Sequence, residues 1–109
     1  VPEVTVWSMW EDETLVGCGA LKALPDGAGE VKSMHTRSDM RGKGYGRQML
    51  EFILSEAARR NYSALYLETG SMDGFIPARK LYEVYGFDYC PPFGGYTLDP
   101  NSVYMNRAL

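Results

Sequence analysis

Histidine and cysteine are scarce in this chain of 109 residues: one His and two Cys, Cys18 and Cys90, with no CxxC pair and no Cys/His cluster. That excludes the usual zinc-site spacings and a disulfide framework, and it fits a reducing, cytoplasmic setting. No metal is expected. No apolar run approaches the ~20 residues of a membrane span, and no apolar segment follows a basic start. There is no excess of basic charge either. Net charge is -3 with a pI near 5.1, which argues against affinity built on neutralising a nucleic-acid backbone. Partners of either kind, nucleic acid or membrane, are therefore not expected.

What is present is ordinary for a compact domain: 45% hydrophobic and 23% charged residues, in a length that suits one unit over 1–109. The exception to even charge is local. Lys32, Arg37, Arg41, Lys43 and Arg47 face only Asp39 between positions 32 and 47. That stretch suits one small polyanion.

Residues 4–10, VTVWSMW, and 14–22, TLVGCGALK, read as an antiparallel hairpin turned at Glu11–Glu13. EVKSMHT at 30–36 is a third strand. From Gly44 to Arg60, Met49, Leu50, Ile53, Leu54 and Ala57 recur at three- and four-residue spacing, the stripe of an amphipathic helix. Arg47 with Glu51 and Glu56 with Arg60 add i,i+4 pairs, and Asn61 suits the stop. ALYLE at 64–68 is a short buried strand, which makes 30–68 a βαβ unit. Ser71 and Asp73 are N-cap candidates for a shorter helix with Pro77 in its first turn, ended by Gly86. FDYC and SVYMNRAL close the sheet around the loop PPFGGYTLDPNS. Trp7 and Trp10 fall on opposite strand faces.

RGKGYGRQML at 41–50 sets glycines at a helix start, where backbone N–H groups and the positive end of the helix dipole can meet an anion. It is not a Rossmann fingerprint, because a GxGxxG count from Gly42 ends at Arg47 and a count from Gly44 ends at Gln48. It is not a P-loop, which needs GxxxxGK and then Ser or Thr. The alternative reading is a tight strand-to-helix turn with solvated charges.

The run EVKSMHTRSDMRGKGYGRQML resembles the central motif of the GCN5-related N-acetyltransferases, with Arg-x-x-Gly-x-Gly at Arg41–Gly46. PARKLYEVYGF at 77–87 resembles the family's second motif through Ala78, Leu81, Tyr82, Gly86 and Phe87. The wider pattern is similar to that of a subgroup of small bacterial acetyltransferases. Two departures stand out. Phe75 occupies a position where the family often has Asn, and the strand and helices that usually precede the hairpin near Val4 are not in this chain, which opens on Val1.

The resemblance implies an α/β fold with a mixed, mainly antiparallel sheet whose third and fourth strands splay around acetyl-CoA. The long helix would lie on one face and the shorter at the other side of the cleft. It implies pyrophosphate binding by Arg41, Gly42, Lys43, Gly44, Tyr45, Gly46 and Arg47. Main-chain groups of Met34, His35 and Thr36 would pair with the pantetheine arm, the Met34 N–H would polarise the acetyl carbonyl, and Ala78 would border the cofactor. The acceptor would be a primary amine of a small molecule or peptide, attacking directly without an acyl-enzyme.

Glu30 lies where the family often has its general base, and period-two alternation places it on the side of Met34, with His35 opposite. The other reading of Glu30 is a carboxylate at a surface strand start. Tyr82 matches the tyrosine that protonates the departing thiolate in many members, and it equally suits a core aromatic. Tyr85 reads as packing, His35 as a packed or half-exposed strand residue, Cys18 as a small buried thiol. Cys90 lacks a His partner in the sequence, so it is not read as a nucleophile. Glu68 and Asp99 read as strand-end and turn charges. The alternatives to an enzyme are a CoA-binding module without catalysis and a plain interaction domain. Exposed strand edges would favour a homodimer.

Overall fold

The computed structural model describes residues 4–109. Six strands, β1 (Val4–Glu11), β2 (Thr14–Ala23), β3 (Gly29–Thr36), β4 (Ala64–Gly70), β5 (Asp88–Cys90) and β6 (Ser102–Ala108), form one sheet in the order β1-β2-β3-β4-β6-β5. Only β3 and β4 run parallel; every other neighbouring pair is antiparallel. The expected mixed, mainly antiparallel α/β fold is the one observed.

Helix α1 (Tyr45–Arg59) connects β3 to β4, and α2 (Ile76–Val84) connects β4 to β5. The stripe read from the sequence is the face that α1 buries: Met49, Leu50, Ile53 and Ala57. They pack with Leu21, Val31, Leu65, Leu67, Met105, Tyr82 and Phe87 in one core. Each large apolar side chain buried there contributes roughly 1.5–3 kcal/mol before chain entropy is counted. The outer face of α1 carries the ion pairs Arg47–Glu51 and Arg60–Glu56 at 3.5 and 3.0 Å. Trp7 turns inward, its ring 5.2 Å from that of Phe52, whereas Trp10 is exposed.

Two local expectations are corrected. Neither Ser71 nor Asp73 caps α2; a 3-10 turn over Asp73–Phe75 intervenes, Phe75 stands at the N-cap, and no side-chain cap is made. Arg79 instead ties the approach together, its Nη1 donating to the carbonyls of Gly70 and Met72 at 2.7 and 3.2 Å. Pro77 does occupy the first turn, and Gly86 ends the helix with φ of 90°.

The second correction concerns β3. Ser33 adopts φ of 54°, and the register moves from Cys18↔His35 to Ala20↔Lys32, so β3 carries one extra residue there. This is a β-bulge, and it flips the alternation beyond it. Lys22, Ala20 and Cys18 share one face of β2, so their partners Glu30, Lys32 and His35 share that face too. Met34 goes to the helix-covered face, where it packs against the core.

Candidate active site

β3 and β4 pair over only three positions, Gly29↔Leu65, Glu30↔Tyr66 and Val31↔Leu67. Past Val31 the strands part, although β3 continues to Thr36 and β4 to Gly70. A parallel pair that opens in this way leaves the main-chain groups of β3 from Lys32 onward without β4 partners, and unpaired edge groups seek a ligand or solvent. A cleft of about 350 Å³ fills the opening, lined by Glu30, Lys32, Met34, Glu68, Tyr82 and Tyr96 among others.

Helix α1 starts beside the end of this opening. Gly42 and Gly44 have φ of 80° and 85°, left-handed values that cost a side-chain-bearing residue strain. Gly44 is the N-cap, makes no side-chain cap, and its carbonyl accepts the first helical bond, from the Gln48 N–H at 3.0 Å. The N–H groups of Tyr45, Gly46 and Arg47 therefore have no intrahelical acceptor. Gly46 lies inside the first turn of α1, and a Cβ there would sit 3.7 Å from Thr36 Oγ1 and 3.8 Å from Leu81 Cδ2. The helix start is thus wedged between the end of β3 and α2.

The basic residues around the loop point several ways. Arg47 engages Glu51, and Lys43 Nζ lies 3.7 Å from Met40 Sδ. Arg41 Nε donates to the Thr36 carbonyl at 3.4 Å and lines a second cavity with Cys18, His35 and Arg37. All three chains are exposed, so an anion at the helix start can recruit them without breaking a buried contact.

Glu30 is not a surface carboxylate. It is buried at 3% exposure, against the reading of a solvated strand start. Its Oε2 accepts the Tyr96 hydroxyl at 2.8 Å and lies 3.5 Å from Lys32 Nζ. A carboxylate buried without such partners would cost several kcal/mol. Lys32 Nζ also donates to the Tyr96 oxygen at 3.3 Å. Partial burial works against the Lys32 charge, but the Tyr96 hydroxyl and the Glu30 carboxylate outweigh it and raise the ammonium above its ordinary value. Tyr96 is also raised, by burial first and by Glu30 next, with Lys32 opposing.

Tyr82 is 6% exposed, packs edge-on against Phe87 at 5.7 Å, and lines the cleft. Burial alone pushes its phenol up to about 12, so it holds its proton through neutral pH. Its hydroxyl has no side-chain partner among the described residues, and no side-chain oxygen there is both buried and unpaired. The hydroxyl therefore opens to the cleft. Tyr85 does pack against the core, and its hydroxyl donates to Glu51. Ala78 sits on the inward side of α2.

Three residues in this cleft were absent from the sequence-based assignment. Lys32 appeared there only as part of a basic stretch and of the central motif's run, without a role, and Tyr96 only as part of a turn-rich loop. Phe75 appeared as a departure from the motif; its ring lies over Gly70 at the end of β4 and lines the cleft. Glu68 also faces the cleft, accepting Ser102 Oγ at 2.6 Å, while Asp99 serves its own turn by accepting the Asn101 N–H at 2.8 Å. Burial raises the Cys90 thiol, which suits no nucleophile. Among the described residues no group of three or more His, Cys, Asp or Glu is placed to hold a metal, and no helix is long and apolar enough to cross a membrane.

Residues 1–87 match the model of the acetyltransferase (GNAT) family. YsnE of Bacillus subtilis, an uncharacterised N-acetyltransferase, is 55% identical over 108 residues, covering 99% of this chain and 72% of its own length. A crystal structure from Klebsiella pneumoniae, described as an acyl-CoA N-acyltransferase, superposes with a TM-score of 0.89 at 30% identity over 98% of this chain and 73% of that one. A GNAT acetyltransferase of Elizabethkingia anophelis, solved with acetyl-CoA bound, shares the fold at a TM-score of 0.82 and 18% identity, over 98% of this chain and 77% of its own. With the parted strands and the glycine-led helix in place, these likenesses identify the chain as a member of the GNAT acetyltransferase family.

Proposed function

We propose that this chain transfers the acetyl group of acetyl-CoA to a primary amine of a small molecule or peptide by direct attack, in a cytoplasmic setting. The observation that carries the reading is the β3–β4 opening, which joins a helix N-terminus led by two left-handed glycines to a cleft holding Glu30 and Tyr82. Acetyl-CoA, when bound, supplies an activated thioester. The diphosphate would meet the free N–H groups of Tyr45, Gly46 and Arg47, with Arg41, Lys43 and Arg47 as mobile counter-charges. The pantetheine amides would pair with the β3 edge at Met34, His35 and Thr36, alongside Ala78 of α2.

Glu30 accepts the proton of the acceptor's ammonium and leaves a neutral amine to attack the thioester carbon. The Met34 N–H donates a hydrogen bond to the carbonyl oxygen as negative charge gathers on it. Tyr82 gives its proton to the sulfur as the C–S bond breaks, a role supported by a phenol that is still protonated at neutral pH. No acyl-enzyme is required.

The test is release of free thiol from acetyl-CoA in the presence of a panel of primary amines. Glu30→Gln should lower the rate by about 10²- to 10⁴-fold, the usual worth of a general base, while acetyl-CoA affinity is kept. A wild-type chain that binds acetyl-CoA but releases no thiol with any amine would favour a binding module without catalysis.

A further inference from the structure

The loop between β5 and β6, residues 91–101, is pinned to the sheet by its aromatic rings. Phe93 lies 4.9 Å from Tyr66 of β4, 6.1 Å from Tyr104 of β6 and 5.1 Å from Tyr96 within the loop. Tyr96 in turn lies 5.6 Å from Tyr104, whose hydroxyl donates to the Thr97 carbonyl at 2.8 Å. Aromatic pairs at these separations add about 0.5–1.5 kcal/mol each beyond area burial, so the loop has a definite seat.

That seat delivers the Tyr96 hydroxyl to Glu30, and it does so asymmetrically. Tyr96 and Lys32 both address Oε2, at 2.8 and 3.5 Å. Oε1 has no side-chain partner among the described residues, and no side-chain oxygen there is both buried and unpaired, so Oε1 reaches the cleft that Glu30 lines. One carboxylate oxygen is held, and the other carries no side-chain hydrogen bond among the described residues.

We propose that Tyr96, backed by Lys32, is a positioning residue that orients Glu30 so that Oε1 faces the acceptor's ammonium. The inference rests on the acetyltransferase reading above and extends it to Tyr96, which lies outside both family motifs, and to Lys32. The Tyr96 O–H donates to Oε2, and a Lys32 N–H donates to the Tyr96 oxygen. When the acceptor's proton moves to Oε1, Tyr96 and Lys32 keep theirs. The other ionisable groups facing this cluster are Lys22 from β2, the cross-strand partner of Glu30, Tyr66 and Glu68 from β4, and Tyr104 from β6, and each is present in both members of the comparison below.

Tyr96→Phe keeps the ring and its packing and deletes only the hydroxyl. Wild type and variant would be compared by calorimetric binding of acetyl-CoA and by thiol release with spermidine and with a lysine-containing peptide, across acidic to alkaline pH. The expected result is unchanged acetyl-CoA affinity, turnover lower on the order of tenfold, a part of what a general base contributes, and an acidic limb of the rate profile displaced to higher pH. Lys32→Met should displace the limb the same way. Equal turnover and an unmoved limb in Tyr96→Phe would overturn the proposal.

A second readout needs no turnover. The Tyr96 ring-carbon NMR signal, assigned by its loss in Tyr96→Phe, should titrate at lower pH in Glu30→Gln than in wild type, because the carboxylate that favours the protonated phenol is gone. An identical titration would overturn the coupling. Failure of acetyl-CoA to bind the wild-type chain would count against the acetyltransferase reading, and the NMR titration would still decide whether Tyr96 holds Glu30.

Discussion

The Tyr96 hydroxyl lies 2.8 Å from Glu30 Oε2, across 66 positions of sequence. A phenol–carboxylate hydrogen bond at a buried site has a measurable energy, and breaking it from one side leaves the other partner unsatisfied. In a double-mutant cycle of Glu30→Gln and Tyr96→Phe, followed by urea unfolding, the two changes should be non-additive by about 1 kcal/mol. Additive effects would show that the contact is not formed in solution.

Gly44 holds φ of 85° at the N-cap of α1, and a Cβ there would meet only Arg47 Nη2, at 3.8 Å. The cost of a side chain is therefore conformational and not steric. Gly44→Ala should lower stability by about 1–2 kcal/mol, the left-handed penalty of an L-residue. Thermal unfolding checks this, and a variant as stable as wild type would contradict the assigned backbone.

At Gly70 the problem is steric. A Cβ there would fall 2.8 Å from Phe75 Cγ and nearer still to the ring edge. Phe75 is 41% exposed, so its ring can swing outward at modest cost. Gly70→Ala should destabilise by about 1 kcal/mol, at the low end of overpacking, and Gly70→Ala with Phe75→Ala should lose less than the sum of the single changes. Strict additivity in denaturant unfolding would show that the two sites do not touch.

Tyr82 predicts the alkaline behaviour of the fold. A phenol that ionises near 10 in the unfolded chain is held by burial at about 12 in the folded one. Its contribution is whole below pH 10 and is lost as pH rises towards 12. The amount at stake is on the order of 2–3 kcal/mol, and Tyr82→Phe should flatten the fall of stability across that window. Equal alkaline slopes in the two proteins would contradict a buried, protonated Tyr82.

The elements were largely legible in the sequence because local patterns fix them. The stripe Met49, Leu50, Ile53, Ala57 has helical spacing and no other periodicity, and Gly86 stops α2 where a left-handed residue is needed. The bulge at Ser33 was not legible: serine carries no signal for positive φ, and one inserted residue moves His35 onto the face of Glu30 and Met34 away from it. The cap of α2 was misread because Ser71 and Asp73 suit an N-cap, while a 3-10 turn and Arg79 supply the junction instead. Glu30 was legible as a candidate through its motif, but its burial was not. Its cover comes from Tyr96, in a loop whose glycines and prolines announce only that the chain turns.

The central claim is that the opening between β3 and β4, with the helix start beside it, is an acetyl-CoA site. Calorimetric titration of acetyl-CoA into this chain and into Gly44→Glu tests it most directly, with circular dichroism to confirm that both are folded. The account predicts saturable one-to-one binding to wild type and its loss in Gly44→Glu, where a carboxylate would stand at the diphosphate's place. Equal binding by both folded proteins, or none by wild type, would contradict it.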